Sequence, residues 1–275
     1  MPTASLTQRA TRPARRPPRS TPRPSATREL SVLTFNISVA AETRAARILS
    51  WLRRRSDDLI VLSETSSGPG TELIRAGLAA DGYFTLVSDE RGERGVLLAS
   101  RLPVASELEP LSVSVPARAR GIVLDTQPQL VVLGVYVPSR DRSPEKIARK
   151  QRFIESFLAS IEALPAAHRD RLLVLGDYNA VARHHEPALP GFFPYEYAFH
   201  DELARLGFGA AHELRPYGAH HPHSWIGRTG IGYLYDYAHL GSDLTTRLLR
   251  CQYLHGPRQQ RLSDHAALAL RIELT

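Results

Sequence analysis

A chain of 275 residues, 43% hydrophobic and 23% charged, can bury a large core and has the balance of an ordinary globular protein. No stretch approaches the ~18 consecutive apolar residues of a membrane-spanning helix, and Cys251, the single cysteine, excludes an intramolecular disulfide, so packing alone must hold the fold. The formal charge of +7 suggests a nucleic-acid footprint, but residues 1 to 28 hold seven arginines and no acid, while the remainder balances 28 basic against 28 acidic residues.

That tail is rich in Pro, Ser, Thr and Arg. With scarcely an apolar residue it cannot offset its ordering entropy, and it is expected to be disordered. It lacks the apolar middle of a secretion signal, and its six prolines oppose the amphipathic helix of a transit peptide, so a cytoplasmic location is expected. Two uses stay open: contact with nucleic acid or another polyanion, or a solubilising extension. Residues 29 to 275 are expected to form a single domain.

Leu30-Ser31-Val32-Leu33-Thr34-Phe35-Asn36-Ile37 alternates and is rich in β-branched and aromatic residues, which predicts a first strand. Residues 41–55 place Ile48, Trp51 and Leu52 at helical spacing among arginines. Leu59-Ile60-Val61-Leu62 reads as a buried strand running into Ser63-Glu64-Thr65, after which Gly68-Pro69-Gly70 breaks the chain before a short helix over 72–80. Runs at 83–87, 95–100, 122–125 and 130–136 read as strands joined by short turns, hence as antiparallel neighbours.

Pro144 opens a long helix to about residue 164, with Ser143 as N-cap and Ile147, Phe153, Ile154, Phe157, Leu158 and Ile161 as its apolar stripe. Leu172-Leu173-Val174-Leu175 then reads as a fully buried strand. It ends in Gly176-Asp177-Tyr178-Asn179, where the glycine permits a close approach that a side chain would block and delivers Asp177 and Asn179 to a sheet edge. Residues 182 to 230 are dominated by Pro, Gly, His and aromatics; one helix is expected at about 199–206 and functional loops elsewhere. The chain closes with a strand at 235–240, the triplet Ser263-Asp264-His265, and a last strand over 266–274.

Several predicted strand ends carry a polar residue directly after apolar ones: Asn36, Glu64, Tyr136, Asp177 with Asn179, Asp236, and Asp264 with His265. Taken singly, Asn36 and Asn179 also fit turn caps, Tyr136 a core tyrosine and Asp236 a turn acid. Gathered on one rim they would join oxygen ligands for a hard cation to an imidazole and amides, a mixture suited to phosphoryl chemistry. Mg²⁺ takes one or two carboxylates and several waters, which matches Glu64 with Asn36 or Asp264 better than a Cys/His zinc cage. His184, His185, His220, His221 and His223 match no closed zinc spacing and read as solvated loop residues. The excess of 33 arginines over two lysines, Lys146 and Lys150, points to no function.

In their order, Leu33-Thr34-Phe35-Asn36, Leu62-Ser63-Glu64-Thr65, Val135-Tyr136-Val137-Pro138, Gly176-Asp177-Tyr178-Asn179, Asp236-Tyr237 and Ser263-Asp264-His265 resemble the motifs of the endonuclease/exonuclease/phosphatase superfamily. The resemblance is nearest its exonuclease III and abasic-site endonuclease branch. It implies an α/β fold, a four-layer αββα sandwich of two mixed β-sheets with helices on the outer faces. It also implies a Mg²⁺-dependent phosphodiester hydrolase, with Mn²⁺ as a substitute and DNA as substrate. Asn36, Glu64 and Asp264 would then stand on the metal side. Asp177 would be the base for the attacking water, and Asn179 would support the water or the phosphate. His265, oriented and kept charged by Asp236, would donate to the phosphate, and Tyr136 to a phosphoryl oxygen or the leaving group.

Three positions depart from the pattern: Ser63 where many relatives have glutamine, Leu234 where arginine commonly precedes the Asp-Tyr pair, and Ala211 in place of an aspartate. They bear on substrate class more than on chemistry. A phosphoesterase for a phospholipid headgroup or sugar phosphate is the alternative, because a neutral folded region is a poor DNA clamp. The Tyr136-Val137-Pro138 strand end leans toward DNA. A catalytically inactive binding module of the same fold is a third reading, opposed by the intact Glu64, Asp177, Asn179, Asp264 and His265.

Overall fold

The computed structural model describes residues 29–88, 92–109, 111–215 and 222–274. The tail, His220 and His221 lie outside the described residues. The first third of the chain forms β1 (Glu29–Asn36), α1 (Glu42–Arg55), β2 (Leu59–Thr65), α2 (Pro69–Ala80), β3 (Phe84–Val87) and β4 (Gly95–Ser100). There follow β5 (Val104–Glu107), β6 (Ala119–Leu124), β7 (Leu130–Tyr136), α3 (Pro144–Glu162), α4 (Ala166–Arg169) and β8 (Leu172–Asp177). The last third contributes α5 (Pro194–Arg205), β9 (Gly209–Ala210), α6 (Ala211–Leu214), β10 (Trp225–Ile226), β11 (Gly232–Tyr233) and β12 (Asp236–Leu240). It closes with α7 (Ser242–Thr245), β13 (Leu248–Leu254), α8 (Gly256–Gln259) and β14 (Ala267–Glu273).

Two six-stranded sheets run in the orders β13-β14-β1-β2-β4-β3 and β5-β6-β7-β8-β12-β9. Each is mixed, with one parallel pair, β1/β2 in the first and β7/β8 in the second. A parallel pair needs a crossover, and α1 and α3 supply it. The alternation of side chains then sorts the core into three layers. Val32, Val61, Leu98, Val132, Leu173 and Leu270 fill the space between the sheets. Leu33 and Phe35 turn outward against Ile48, Leu52 and Ile74 of α1 and α2, and Leu133 and Val174 against Phe153, Phe157 and Phe199 of α3 and α5. The result is the expected αββα sandwich. Among the described residues no helix is long and apolar enough to cross a membrane.

Some local expectations change. Gly68-Pro69-Gly70 starts a helix instead of merely breaking the chain: Pro69 takes the first helical turn, where its missing N–H costs nothing. Ser143 occupies the N-cap position of α3, but its side chain makes no capping bond; its N–H instead donates to Asp141 Oδ1 at 2.9 Å. The antiparallel reading holds within the β3/β4 and β6/β7 pairs. The two pairs lie in different sheets, however, and β5, absent from the sequence reading, pairs with β6 in the second. The helix expected at 199–206 begins at Pro194, where the Phe193 N–H donates to the Glu196 carboxylate at 2.7 Å. β13, also unexpected, pairs with β14.

Candidate active site

Both parallel pairs end at the same edge, and β12 and β14, antiparallel to their neighbours, begin there. The register puts Tyr136 beside Asp177 and Asp177 beside Asp236 in the second sheet, and Asn36 beside Ser63 in the first. Gly176 makes this possible: its φ is 148°, and a Cβ there would lie 1.8 Å from the Val135 carbonyl oxygen. Four of the six non-glycine residues with left-handed backbone among the described residues, Ser38, Val39, Glu64 and Asn179, stand at this rim. Each costs roughly 1–3 kcal/mol and persists only where the surroundings impose it.

The buried Asp177 carboxylate is held on both oxygens. Oδ1 accepts the Asn179 N–H at 2.7 Å, and Oδ2 accepts Asn36 Nδ2 at 2.8 Å and Asn179 Nδ2 at 3.3 Å. Burial pushes this carboxyl up to about 7, the Asp236 charge adds to the rise, and His265 opposes it. His265 Nδ1 lies 2.7 Å from Asp236 Oδ2. Burial works to strip its proton, but the charge and hydrogen bond of Asp236 prevail and raise the imidazole to about 9. At neutral pH His265 is therefore an imidazolium whose Nδ1–H donates to Asp236. Its Nε2 faces Asn36 Nδ2 at 3.5 Å, a contact between two donors that leaves the Nε2 proton for an incoming acceptor. Asp236 Oδ1 is buried with no hydrogen-bond partner among the described residues, and the Asp236 N–H donates to Ser224 Oγ at 3.0 Å.

On the other flank the Tyr136 hydroxyl donates to Glu64 Oε1. Burial, with the charges of Glu64 and Asp177, pushes the phenol well above its ordinary value, so it remains a neutral donor. Glu64 Oε1 also accepts Arg94 Nη1 at 2.6 Å. Asp264, exposed, accepts Trp225 Nε1 at 2.9 Å. Partial desolvation by its neighbours, which would raise its carboxyl, is outweighed by the His265 charge and the Trp225 bond, which bring it below its ordinary value.

All eight residues singled out from the sequence thus border one rim. Asp177, Asp236 and His265 are the tightest group, with ligand atoms all within 4.8 Å of one another, close enough to hold a metal ion. In this group the imidazole Nδ1 is already engaged by Asp236 at 2.7 Å. The oxygens of Glu64, Asp264 and Asn36 are hard donors of the kind a divalent cation takes. Of these, Asn36 Oδ1 accepts the Ser38 N–H at 2.8 Å, and Glu64 has the half-exposed Arg94 as its counter-charge.

What lies behind Asn179 has no motif in the sequence. Lys150 of α3, buried, donates to the Asn179 carbonyl at 2.5 Å and to Glu196 Oε1 at 2.6 Å. Glu196, fully buried, also accepts Arg140 Nε at 2.9 Å. The one signal in the sequence was compositional, since Lys150 is one of only two lysines among 33 arginines. Beside Asn179 opens a cavity of about 430 Å³ lined by Ser139, Arg140, Phe192, Tyr233 and Tyr235 among others, so the irregular region supplies one of its walls. His184 bonds Glu213 at 2.8 Å. His185, read as solvated, is buried, with Nδ1 2.9 Å from the Pro187 carbonyl oxygen and Nε2 accepting the Leu234 N–H at 3.0 Å.

The fold and rim define a class, an αββα sandwich with carboxylates, amides and a charged imidazole gathered where its two sheets end. The chain belongs to the Endonuclease/Exonuclease/phosphatase family, which it matches over residues 33–265. Among solved structures it is similar to an AP endonuclease from Archaeoglobus fulgidus, with TM-score 0.73 and 19% identity over 88% of this chain and 98% of that one. A 3′ phosphatase, NExo, from Neisseria bound to a product DNA hairpin gives TM-score 0.72 and 19% identity over 89% and 99% of the two chains. A 3′-5′ exonuclease, NExo, from Neisseria meningitidis gives TM-score 0.71 and 20% identity over 89% and 100%. No curated protein sequence matches the chain.

Proposed function

We propose that the chain is a Mg²⁺-dependent phosphodiesterase acting on DNA. The observation that carries this reading is the Asp177 carboxylate, fixed by the Asn36 amide at 2.8 Å, beside an imidazolium that Asp236 holds at 2.7 Å. One such arrangement offers both a proton acceptor for water and a cationic donor for phosphate. Asp177 takes the proton of the attacking water; Asn179 holds that carboxylate in place. The new P–O bond forms to this oxygen as the bond to the departing sugar oxygen breaks. His265 donates its Nε2 proton to a phosphoryl oxygen, and the Tyr136 hydroxyl stabilises a second oxygen or the leaving group. Mg²⁺, or Mn²⁺ in its place, held by Glu64 and Asp264 with the Asn36 amide oxygen, would supply charge neutralisation at the phosphate. The similarity to structures of an AP endonuclease and of a phosphatase bound to a DNA hairpin supports DNA as substrate. The arginine-rich tail would add non-specific, salt-sensitive grip.

A second reading, hydrolysis of a phospholipid headgroup or sugar phosphate, is favoured by the formal neutrality of residues 29–275. Incubation of the purified protein with nicked, abasic and intact duplex DNA, with and without Mg²⁺, separates the two. Mg²⁺-dependent cleavage that is lost in Asp177→Asn is expected. Cleavage by Asp177→Asn equal to wild type would overturn the assigned base. Absence of DNA cleavage, with ester hydrolysis unaffected by removal of residues 1–28, would select the second reading.

A further inference from the structure

One flank of the rim is lined by arginine. Arg44, Arg258 and Arg261, with Ser38, Ser263 and Asp264, border a cavity of about 390 Å³. It adjoins the reacting groups on two sides: the Ser38 N–H donates to Asn36 Oδ1 at 2.8 Å, and Asp264 precedes His265 in the chain. Elsewhere several buried or half-buried arginines meet carboxylates, as Arg55 meets Asp57 at 2.8 Å, Arg118 meets Glu93 at 3.3 Å and Arg140 meets Glu196 at 2.9 Å, while buried Arg171 donates to the Gln129 carbonyl at 2.9 Å. The three arginines of this cavity make no ion pair among the described residues.

Their hydrogen bonds go to neutral groups. Arg44 donates to the carbonyls of Ile37, Ser38 and Leu262 at 2.7, 2.6 and 2.8 Å. Arg258 Nη2 lies 3.3 Å from His223 Nε2 and 3.2 Å from His255 Nδ1. Burial holds both imidazoles below their ordinary value, and the Arg258 charge lowers them further, so they accept from Arg258 without cancelling its charge. Arg258 Nη1 is buried with no hydrogen-bond partner among the described residues. Arg261 is exposed and sits in left-handed backbone with φ 54°. Three arginines and one carboxylate, Asp264, therefore line a space large enough for a phosphodiester. Guanidinium is the side chain whose planar fork matches phosphate oxygens.

We propose that this cavity is a second anion subsite, which takes a phosphodiester group of the substrate strand adjacent to the one cleaved. Arg258 and Arg261 are its ligands, and Arg44 holds the backbone of its wall. The inference rests on the reading of the rim as a phosphodiesterase and deepens it, because a second phosphate site selects a polynucleotide over an isolated phosphoester. Free inorganic phosphate has the same chemistry, and the test distinguishes the two.

The test compares the full-length wild type with Arg258→Gln/Arg261→Gln, and with Arg261→Glu alone, which alters only an exposed side chain. Thermal melting establishes that each is folded. Fluorescence anisotropy with a labelled oligonucleotide in EDTA reads binding without turnover. The double variant is expected to bind about 10- to 100-fold more weakly, with the slope of log affinity against log salt reduced by about one. Arg261→Glu is expected to weaken binding as well. Hydrolysis of bis(p-nitrophenyl) phosphate, a diester with a single phosphorus, is expected to fall by a smaller factor than oligonucleotide affinity, and an equal fall in both would overturn the assignment to a second phosphate. Unchanged oligonucleotide affinity and salt slope in both variants would overturn the subsite. Loss of inorganic phosphate binding, read by calorimetry, with oligonucleotide affinity intact would overturn its assignment to a strand. If the wild type hydrolyses no phosphodiester, the catalytic reading fails while the anisotropy result still decides whether the subsite exists.

Discussion

The crossovers β1-α1-β2 and β7-α3-β8 are built alike and end alike, yet they equip the rim differently. In each, two parallel strands are buried on both faces and a helix covers the outer side. Each helix also sends one cation to the turn that follows a strand of its unit. Arg44 of α1 reaches the carbonyls of Ile37 and Ser38, and Lys150 of α3 reaches that of Asn179. The strand ends then diverge. Glu64 keeps part of its side chain in solvent and meets the half-exposed Arg94. Asp177 and Tyr136 are enclosed, and enclosure moves both of their titrations upward. One unit, buried to different depths, thus gives the rim a half partly in solvent, at Glu64, and an enclosed half, at Asp177 and Tyr136; under the proposed function the first would take the cation and the second the proton.

Removing the proposed proton donor, which stands beside the enclosed half, should have the largest effect. His265→Ala is expected to lower kcat by about 10²- to 10⁴-fold in steady-state hydrolysis while leaving Mg²⁺ dependence in place. The comparison sharpens with pH. With Asp177 near 7 and His265 near 9, kcat/KM should rise through about 7 and fall through about 9. Asp236 raises both groups, so in Asp236→Asn both limbs should move down, the alkaline one toward the ordinary histidine value of about 6.5. A pH–rate profile of each protein reads this directly.

Lys150→Met tests whether the helix cation matters to the enclosed half. Breaking a buried pair leaves Glu196 short of one partner, and a loss of about 3 kcal/mol is expected in urea unfolding, with reduced kcat in the fraction that remains folded. A smaller effect concerns stability and pH. A carboxyl whose folded pKa is raised contributes stability that is complete below its unfolded value of about 4 and is lost as pH rises through about 7. The raised His265 imidazole acts in the same direction through about 9. Asp177→Asn removes the first of these losses, so its melting temperature should exceed that of wild type at pH 8 by about 5 °C, with the gap closing toward pH 5.

Legibility in the sequence followed the same division. Strands buried on both faces, such as Leu172-Leu173-Val174-Leu175, announce themselves by composition, and a polar residue directly after such a run marks a rim. Asn36, Glu64, Tyr136, Asp177 and Asn179 were visible for that reason. β5 and β13 were not: they are edge strands, and exposed residues such as Ser106, Leu249 and Arg250 dilute their pattern. Lys150 was invisible because it occupies a helix position where a lysine ordinarily points to water; its burial depends on Asn179 and Glu196, 29 and 46 residues away. The arginine cavity joins α1 to residues 258–264 and has no local signal at all.

The separation of the two halves is tested most directly by calorimetric titration of Mn²⁺ into wild type, Glu64→Gln and Asp177→Asn, with phosphodiester hydrolysis measured on the same samples. Asp177→Asn should bind the ion as wild type does and turn over little or nothing, while Glu64→Gln should bind at least about tenfold more weakly and regain part of its turnover at high ion concentration. Metal binding lost in Asp177→Asn and kept in Glu64→Gln would contradict the account, because the cation would then belong to the enclosed half.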